Sequence, residues 1–559
     1  NLVYTVTLSN ASTTPTSYAY SLGGGTASAA DYGTASFSNG VTYNATTGQV
    51  TVPAGVTSFT VTLPTVDDTL NEPGAAETVP LTIGGVAATG GIADNDGVPT
   101  ITSVEPGAPG IGDNTVVEGT NLVYTVTLSN ASTTPTSYAY SLGGGTASAA
   151  DYGTASFSNG VTYNPTTGQV TVPAGVSSFT VTLPTTDDTL YEPGAAETVP
   201  LTIGGVAATG GIADNDGVPT VTSVEPGGPG VADNTVIEGN NLVYTVTLSN
   251  ASTTPTSYAY SLGGGTASAA DYGTASFSNG VTYNPTAGQI TVPAGVSSFT
   301  VTLPTTDDTL YEPGAAETVP LTIGGVTATG GIADNDGVPT ITSVEPGAPG
   351  IADNTVIEGA NLVYTVTLSN ASTTPTSYAY SLGGGTASAA DYGTASFSNG
   401  VTYNPTTGQV TVPAGVSSFT VTLPTTDDTL YEPGAAETVA LTIGGVAATG
   451  GIADNDGVPT ITSVEPGAPG IADNTVVEGN NLVYTVTLSN ASTTPTSYAY
   501  TLGGGTASAA DYGTASFSNG VTYNPTTGQV TVPAGVTSFT VTLPTVDDTL
   551  NEPGGAETV

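Results

Sequence analysis

The chain is predicted to be all-β, a tandem string of antiparallel β-sandwich modules. Three observations carry that prediction. The motif Asn-Leu-Val-Tyr-Thr-Val-Thr-Leu begins at positions 1, 121, 241, 361 and 481, so the sequence repeats every 120 residues. That is the length of an independent domain and far longer than a solenoid repeat. Each repeat consists of short alternating apolar and polar runs rich in Val, Thr, Tyr and Ile, separated by Gly, Pro and Asn clusters, with no helical periodicity. Finally, the 75 glycines and 39 prolines accompany 38% hydrophobic and only 8% charged residues, which favours folded β structure over disorder.

Cutting after the recurrent Asp-Asn-Asp-Gly gives modules 98-217, 218-337 and 338-457. They are flanked by 1-97, expected to be a partial module lacking its first strand, and 458-559, expected to lack its last strand or strands. The whole is expected to be a window on a longer array.

Within 98-217 the first strand is expected over Thr100 to Val104, resuming at Thr115-Val117. The second, Asn121 to Ser129, puts Leu122, Tyr124, Val126 and Leu128 on one face and Thr125 and Thr127 on the other. The third is Thr136 to Leu142, with Tyr138 and Tyr140 expected in the core. After a Gly143-Gly144-Gly145 loop, a hairpin is expected from Ala155 to Tyr163, turning at Asn159-Gly160, where both residue types tolerate positive φ. Gln169 to Val172 and Ser177 to Leu183 follow, the latter burying Phe179, Val181 and Leu183. Glu197 to Ile203 and Ala207 to Ala213 complete seven main strands, the number of a small antiparallel sandwich.

Composition restricts function sharply. There is no Lys, Arg, His, Cys, Met or Trp against 45 acids, for a formal charge of −45. Protein salt bridges are therefore excluded, as is a basic nucleic-acid surface. Disulfides are excluded too, and no apolar run approaches the roughly 18 residues of a membrane helix. Acids can be compensated only by solvent, backbone N–H groups, protons or metal ions.

Strands that run alternately up and down bring every second connection to the same pole. Those connections hold Glu118, Asp151, Asp187, Asp188, Glu192, Asp214 and Asp216, while Ala131 to Pro135, Pro173 to Val176 and Gly204 to Val206 at the other pole hold no acid. Hard oxygen donors in flexible loops, without His or Cys, favour Ca²⁺, which takes about 6–8 oxygens. The joint Asp214-Asn215-Asp216-Gly217-Val218-Pro219 leaves almost no linker between modules, so an ion there would lock one module to the next. The simpler reading is that the acids only keep a Thr-rich surface soluble, but solubility does not require clustering at one pole.

The ordered set Val117-Glu118-Gly119, Gly145-Thr146-Ala147 with Asp151-Tyr152, Val172-Pro173-Ala174-Gly175, Asp187-Asp188 with Glu192, and Ile212-Ala213-Asp214-Asn215-Asp216 resembles the signature of Calx-beta domains. These are immunoglobulin-like sandwiches of sodium/calcium exchangers, an integrin cytoplasmic tail and large bacterial surface proteins. The resemblance spans most of every module and implies calcium ligands at Glu118, Asp151, Asp187, Asp188, Glu192, Asp214 and Asp216. Carried along the repeat, it implies Glu238, Asp271, Asp307, Asp308, Glu312, Asp334 and Asp336, then Glu358, Asp391, Asp427, Asp428, Glu432, Asp454 and Asp456. At the ends it implies Asp31, Asp67, Asp68, Glu72, Asp94 and Asp96, and Glu478, Asp511, Asp547, Asp548 and Glu552. Three features depart from the family pattern: Asn215 interrupts the final acidic run, Glu197 lies further from Glu192 than usual, and the segment 155-163 looks inserted.

Other signals lead elsewhere. The triple glycine has no Lys or helix after it to hold a phosphate. Without His, Lys or Cys there is no ordinary base for a nucleophile, so no enzyme is expected. Thr-x-Thr rows are explained by β propensity, and Asn130-Ala131-Ser132 is a weak glycosylation sequon. The expected function is a calcium-stabilised extracellular stalk or fibre, an adhesin extender or surface filament of bacterial type. Its partners would be calcium, adjacent modules and like chains in a filament, with no nucleic acid and no membrane insertion in this stretch. The alternative is a set of modules that themselves bind a carbohydrate or protein partner.

Overall fold

The computed structural model describes residues 1–111, 114–231, 234–351, 355–471, 475–549 and 553–559. All regular structure among them is strand. The repeat around 98-217 is representative. Its strands are β1 (Ile101–Pro106), β2 (Thr115–Val117), β3 (Asn121–Leu128), β4 (Thr136–Leu142), β5 (Ser156–Phe157) and β6 (Thr162–Asn164). They continue as β7 (Gln169–Val172), β8 (Ser178–Pro184), β9 (Leu190–Tyr191), β10 (Glu197–Ile203) and β11 (Val206–Ala213).

One sheet has the order β5-β8-β3-β1 and the other β2-β11-β10-β4-β7-β6. The alternation in the sequence dictates which faces meet. Leu122, Tyr124 and Val126 of β3 lie opposite Leu183, Val181 and Phe179 of β8, so one face of that sheet is wholly apolar. Val199, Leu201 and Ile203 of β10 project from the other sheet into the same core, and all of these side chains are fully or almost fully buried. Burial of this kind contributes about 1.5–3 kcal/mol for each large apolar side chain. Tyr124 spans the sandwich: its hydroxyl donates to the Val199 carbonyl and accepts from Gly210 N at 3.2 Å. Gly210 is required there, since a Cβ would stand 2.8 Å from Leu122 Cδ1 and 2.9 Å from that hydroxyl.

The 155-163 segment is not a hairpin. Asn159 and Gly160 do turn with φ of 53° and 72°, as expected. However, β5 pairs with β8 while β6 pairs with β7 in the opposite sheet. The cause is Val161, which is buried immediately after the turn and draws the chain across the core from one sheet to the other. Tyr140, Phe157 and Tyr163 close the sandwich edge beside this crossing, with ring centroids 5.5 Å and 4.8 Å from Tyr140 to the other two. Tyr138 packs on the core, and its hydroxyl ties β4 to the entering chain at the Pro99 carbonyl, 2.7 Å away. The same sheet orders recur in the two following repeats.

Successive repeats touch through more than the linker. β9 pairs in parallel with Ala251–Ser252 of the next repeat, and Thr253 N donates to Tyr191 O at 3.0 Å. Asn250 Nδ2 donates to the Gly217 carbonyl at 2.8 Å. Thus the loop that carries Asp187, Asp188 and Glu192 also holds the following repeat.

Candidate metal centre

β2 and β11 run parallel, with Val117 opposite Ala213. Whatever follows each strand therefore leaves the sandwich side by side, and Glu118 meets the Asp214-Asn215-Asp216 run although they are nearly a full repeat apart. Glu118 N donates to the Ala213 carbonyl at 3.0 Å, and its Oε1 accepts from Asn215 N at 3.1 Å. Glu118, Asp214 and Asp216 each bring a carboxylate oxygen within 4.8 Å of the others. Gly119 explains the Glu-Gly pair: its φ is 78°, and a Cβ would lie 2.9 Å from the Asp187 Cβ packed against it. A side chain there would push that aspartate away from Asn215, whose Nδ2 it accepts from.

A second triad lies at the same pole. Asp151, Glu192 and Glu197 also bring their oxygens within 4.8 Å. A tight turn aims Asp151 back at Ser148 N, and Thr186 N donates to the Asp151 carbonyl at 2.8 Å, joining this loop to the next acidic one. Glu192 N donates to Asp214 Oδ2 at 2.9 Å, linking the two triads through one loop.

Asp187 and Asp188 belong to neither triad. Asp187 Oδ1 accepts from Asn215 Nδ2 at 2.9 Å, and Asp188 Oδ1 accepts from Leu190 N at 2.6 Å. Asn215, which interrupts the acidic run, is thus a neutral donor bonded to an acid. The following repeat holds the equivalent triads Glu238, Asp334, Asp336 and Asp271, Glu312, Glu317. In the next, Glu358 accepts from Asn455 N at 3.2 Å, Asp427 from Asn455 Nδ2 at 2.9 Å and Asp454 from Glu432 N at 2.8 Å. At the start of the chain Asp31, Glu72 and Glu77 form a triad, and Asp67 accepts from Asn95 Nδ2 at 2.9 Å. Toward the end Asp511 accepts from Ser508 N at 2.5 Å, and Gly479 beside Glu478 faces Asp547. Glu552 lies outside the described residues.

Glu197 was not among the residues the sequence reading selected, yet it completes the second triad. The signal was present: it is in phase with Val199, Leu201 and Ile203 on β10, so its side chain faces inward at the pole. Glu77, Glu317 and Glu437 occupy the same place in their repeats.

The electrostatics are those of crowded anions. Burial first, then Asp151, Glu192 and a hydrogen bond with Asp151, push Glu197 up to about 7. Burial raises Glu118 against the opposing Asn215 N–H, and Asp188, Asp214 and Asp216 raise it further. Glu192 and Asp216 rise for the same reasons, burial first. Two like charges about 4 Å apart repel by ~1 kcal/mol in water and ~4 kcal/mol at an effective dielectric near 20. Asp216, Asp336 and Asp456 each keep a buried Oδ2 without a hydrogen-bond partner. A buried unsatisfied oxygen is costly, and no protein cation exists here to meet it. This all-oxygen donor set fits a hard divalent cation: Glu118, Asp214 and Asp216 would hold one, and Asp151, Glu192 and Glu197 another. Such an ion would supply the positive charge that the chain itself lacks.

Solved structures show only distant similarity to the chain. A tandem from titin, domains A168-A170, matches at 11% identity over 63% of this chain and 95% of its own, with a TM-score of 0.19. Domains 4 and 5 of the S-layer protein SbsC match at 16% identity over 25% of this chain and 66% of their own, with a TM-score of 0.15. At these scores neither bears on the fold or the role of this chain. Among curated proteins, none matches the chain. The Calx-beta domain model, by contrast, matches residues 27–89, 146–211, 266–333, 386–460 and 506–558, once in every repeat and over more than half of the sequence. The segment 146–211 contains the turn of Asp151, the loop of Asp187 to Glu192, strand β10 and most of β11, and with them the second triad, while Glu118, Asp214 and Asp216 lie outside it. The chain therefore belongs to the Calx-beta domain family, in which it is a tandem of five copies.

Proposed function

We propose that the chain is a calcium-stabilised stalk or fibre outside the cell, an extender whose job is mechanical rather than catalytic. The modules 98-217, 218-337 and 338-457 would act as its units. The observation that carries this reading is the coincidence of two carboxylate triads with the joint: the 187–192 loop lends a ligand to the second triad, and through β9 it also holds the next repeat. Calcium bound by Glu118, Asp214 and Asp216 would relieve repulsion at the end of β11 and fix the angle at which the linker leaves. Near-identity of the repeats favours spacing over recognition, since a spacer needs only length.

Calorimetry and small-angle scattering of the full chain test this together. Saturation at a hundredfold excess over Kd adds about 2.7 kcal/mol for each site, so melting should shift up in calcium and down in chelator. The maximum dimension should shorten and the cross-section broaden on chelation while the repeats stay folded. If melting and scattering are both indifferent to calcium, the reading fails.

A further inference from the structure

The repeats are almost identical, but their joints are of two kinds. Position 71 is Asn, whereas the equivalent positions 191, 311 and 431 are Tyr. At the first joint Asn71 is 5% exposed, and its amide makes three hydrogen bonds, two to the 94–96 run and one to the next repeat. Nδ2 donates to Asp94 Oδ2 at 3.2 Å and to the Asp96 carbonyl at 3.0 Å, while Oδ1 accepts from Ser132 Oγ of the next repeat at 3.2 Å. The backbone adds Asn71 N to Ala131 O at 2.8 Å and Thr133 N to Asn71 O at 2.9 Å. One neutral side chain thus joins the acidic loop, the linker and the following module.

At the other joints the backbone contact is retained, as in Thr253 N to Tyr191 O and Thr373 N to Tyr311 O, both 3.0 Å. Among the described residues, Tyr191, Tyr311 and Tyr431 make no side-chain hydrogen bond to the acidic run. A buried carboxylate oxygen without a partner occurs in both kinds of repeat, on Glu77 in the first and on Asp216, Asp336 and Asp456 in the others, so the amide of Asn71 is what separates the joints. A tyrosine has only its distal hydroxyl to offer, and a ring cannot reproduce an amide that donates twice and accepts once.

We propose that Asn71 is a cation-independent clamp, so that this joint keeps its angle when the divalent ion is removed while the Tyr191, Tyr311 and Tyr431 joints become hinges. The chain is then stiff by two mechanisms, one conditional and one built in. The same pairing of Val66 with Asn71 returns in the sequence at Val546 and Asn551, against Thr186 with Tyr191 between them. The proposal rests on the stalk reading for its importance, but its test does not need calcium to bind.

The absence of cysteine makes the measurement clean. In the full chain, the pair Ser36→Cys with Ser156→Cys spans the first joint, and Ser156→Cys with Ser276→Cys spans the second, all at exposed and equivalent positions. Spin labels there report the spread of distances across each joint by pulsed electron resonance. In chelator the distribution across the second joint should be roughly twice as broad as across the first, as expected if the backbone contacts and the Asn250 bond remain there without the three side-chain hydrogen bonds that Asn71 adds. Asn71→Tyr and Asn71→Asp should each broaden the first joint, the latter at nearly constant volume, and Tyr191→Asn should narrow the second. Equal widths in chelator would overturn the proposal. So would a first joint unmoved by Asn71→Asp in a chain whose melting is unchanged, or, if the Asn71 variants fail to fold, a second joint unmoved by Tyr191→Asn. Calcium leaving both distributions unchanged would instead count against the stalk reading and leave the comparison of joints standing.

Discussion

The two poles of one repeat are built from the same kinds of loop and are satisfied in opposite ways. At the pole without acids, Gly175 N reaches Ser132 O at 2.8 Å, Gly204 N reaches Ala139 O at 3.0 Å, and Thr134 N reaches Ser132 Oγ at 3.2 Å. Its polar groups find partners within the chain. At the other pole, six carboxylates form two triads, and three successive repeats leave an aspartate oxygen buried without a partner. The first pole meets its polar groups with the chain's own donors, whereas the second leaves oxygens that the chain does not meet.

Removing one acid at the incomplete pole should have the largest effect and should change sign with the medium. Replacing Asp216, Asp336 and Asp456 together by Asn is expected to lower calcium affinity at those sites by about tenfold or more, since a charged ligand is lost. The same variant should melt higher than the parent in chelator, because repulsion from Asp214 and Asp188 is relieved. Replacing Glu105, Glu225 and Glu345 on β1 and its counterparts by Gln should do neither. Titration calorimetry and melting in both media check this, and equal effects of the two sets would reduce the contrast between poles to diffuse screening.

A smaller effect is expected from pH. Glu197, Glu317 and Glu437 are pushed from the ordinary 4.5 up to about 7, by burial and then by neighbouring acids. Between those values the folded chain keeps protons that the unfolded chain has lost, so stability should be highest below the lower value and fall as pH rises through the window. In chelator the melting temperature should therefore be higher at pH 5 than at pH 8, and Gln at all three positions should flatten the profile. Calcium, which competes with the protons, should oppose the trend. A chelated chain that melts higher at pH 8 would contradict it.

The smallest effect belongs to the complete pole. Gly175 has a φ of 80° and open space around it, so Gly175→Ala should cost about 1 kcal/mol of strain. Because Gly175 belongs to neither triad, that cost should be the same in calcium and in chelator. A calcium-dependent difference would mean that the poles communicate.

Much of this contrast was legible in the sequence. Thr136–Leu142 lies where alternation put it, and strand parity alone gathered Glu118, Asp151, Asp187, Asp188, Glu192, Asp214 and Asp216 at one end. Three things were not. The hairpin expected at 155-163 depended on local turn chemistry, which was right about Asn159 and Gly160 but could not reveal that Val161 changes sheets. Glu197 escapes a reading by spacing from Glu192, because only its phase with Val199, Leu201 and Ile203 on β10 turns it inward. The pairing of β9 with Ala251–Ser252 joins segments of two repeats, a contact that two-residue period-2 reasoning has no means to detect.

The parallel pairing of β2 with β11 has a consequence under load. Tension along the chain enters a repeat at the start of β1 and leaves it at the end of β11, at opposite poles. It draws β2 and β11 past one another lengthwise, so the hydrogen bonds between Thr115–Val117 and Gly211–Ala213 are loaded together instead of peeling open in turn. The Glu118 triad sits at the last rung of that ladder. A divalent ion there would act as a rivet through the shear plane, and pulling single chains should show rupture forces that rise with calcium while the spacing between ruptures stays fixed by the length of the repeat.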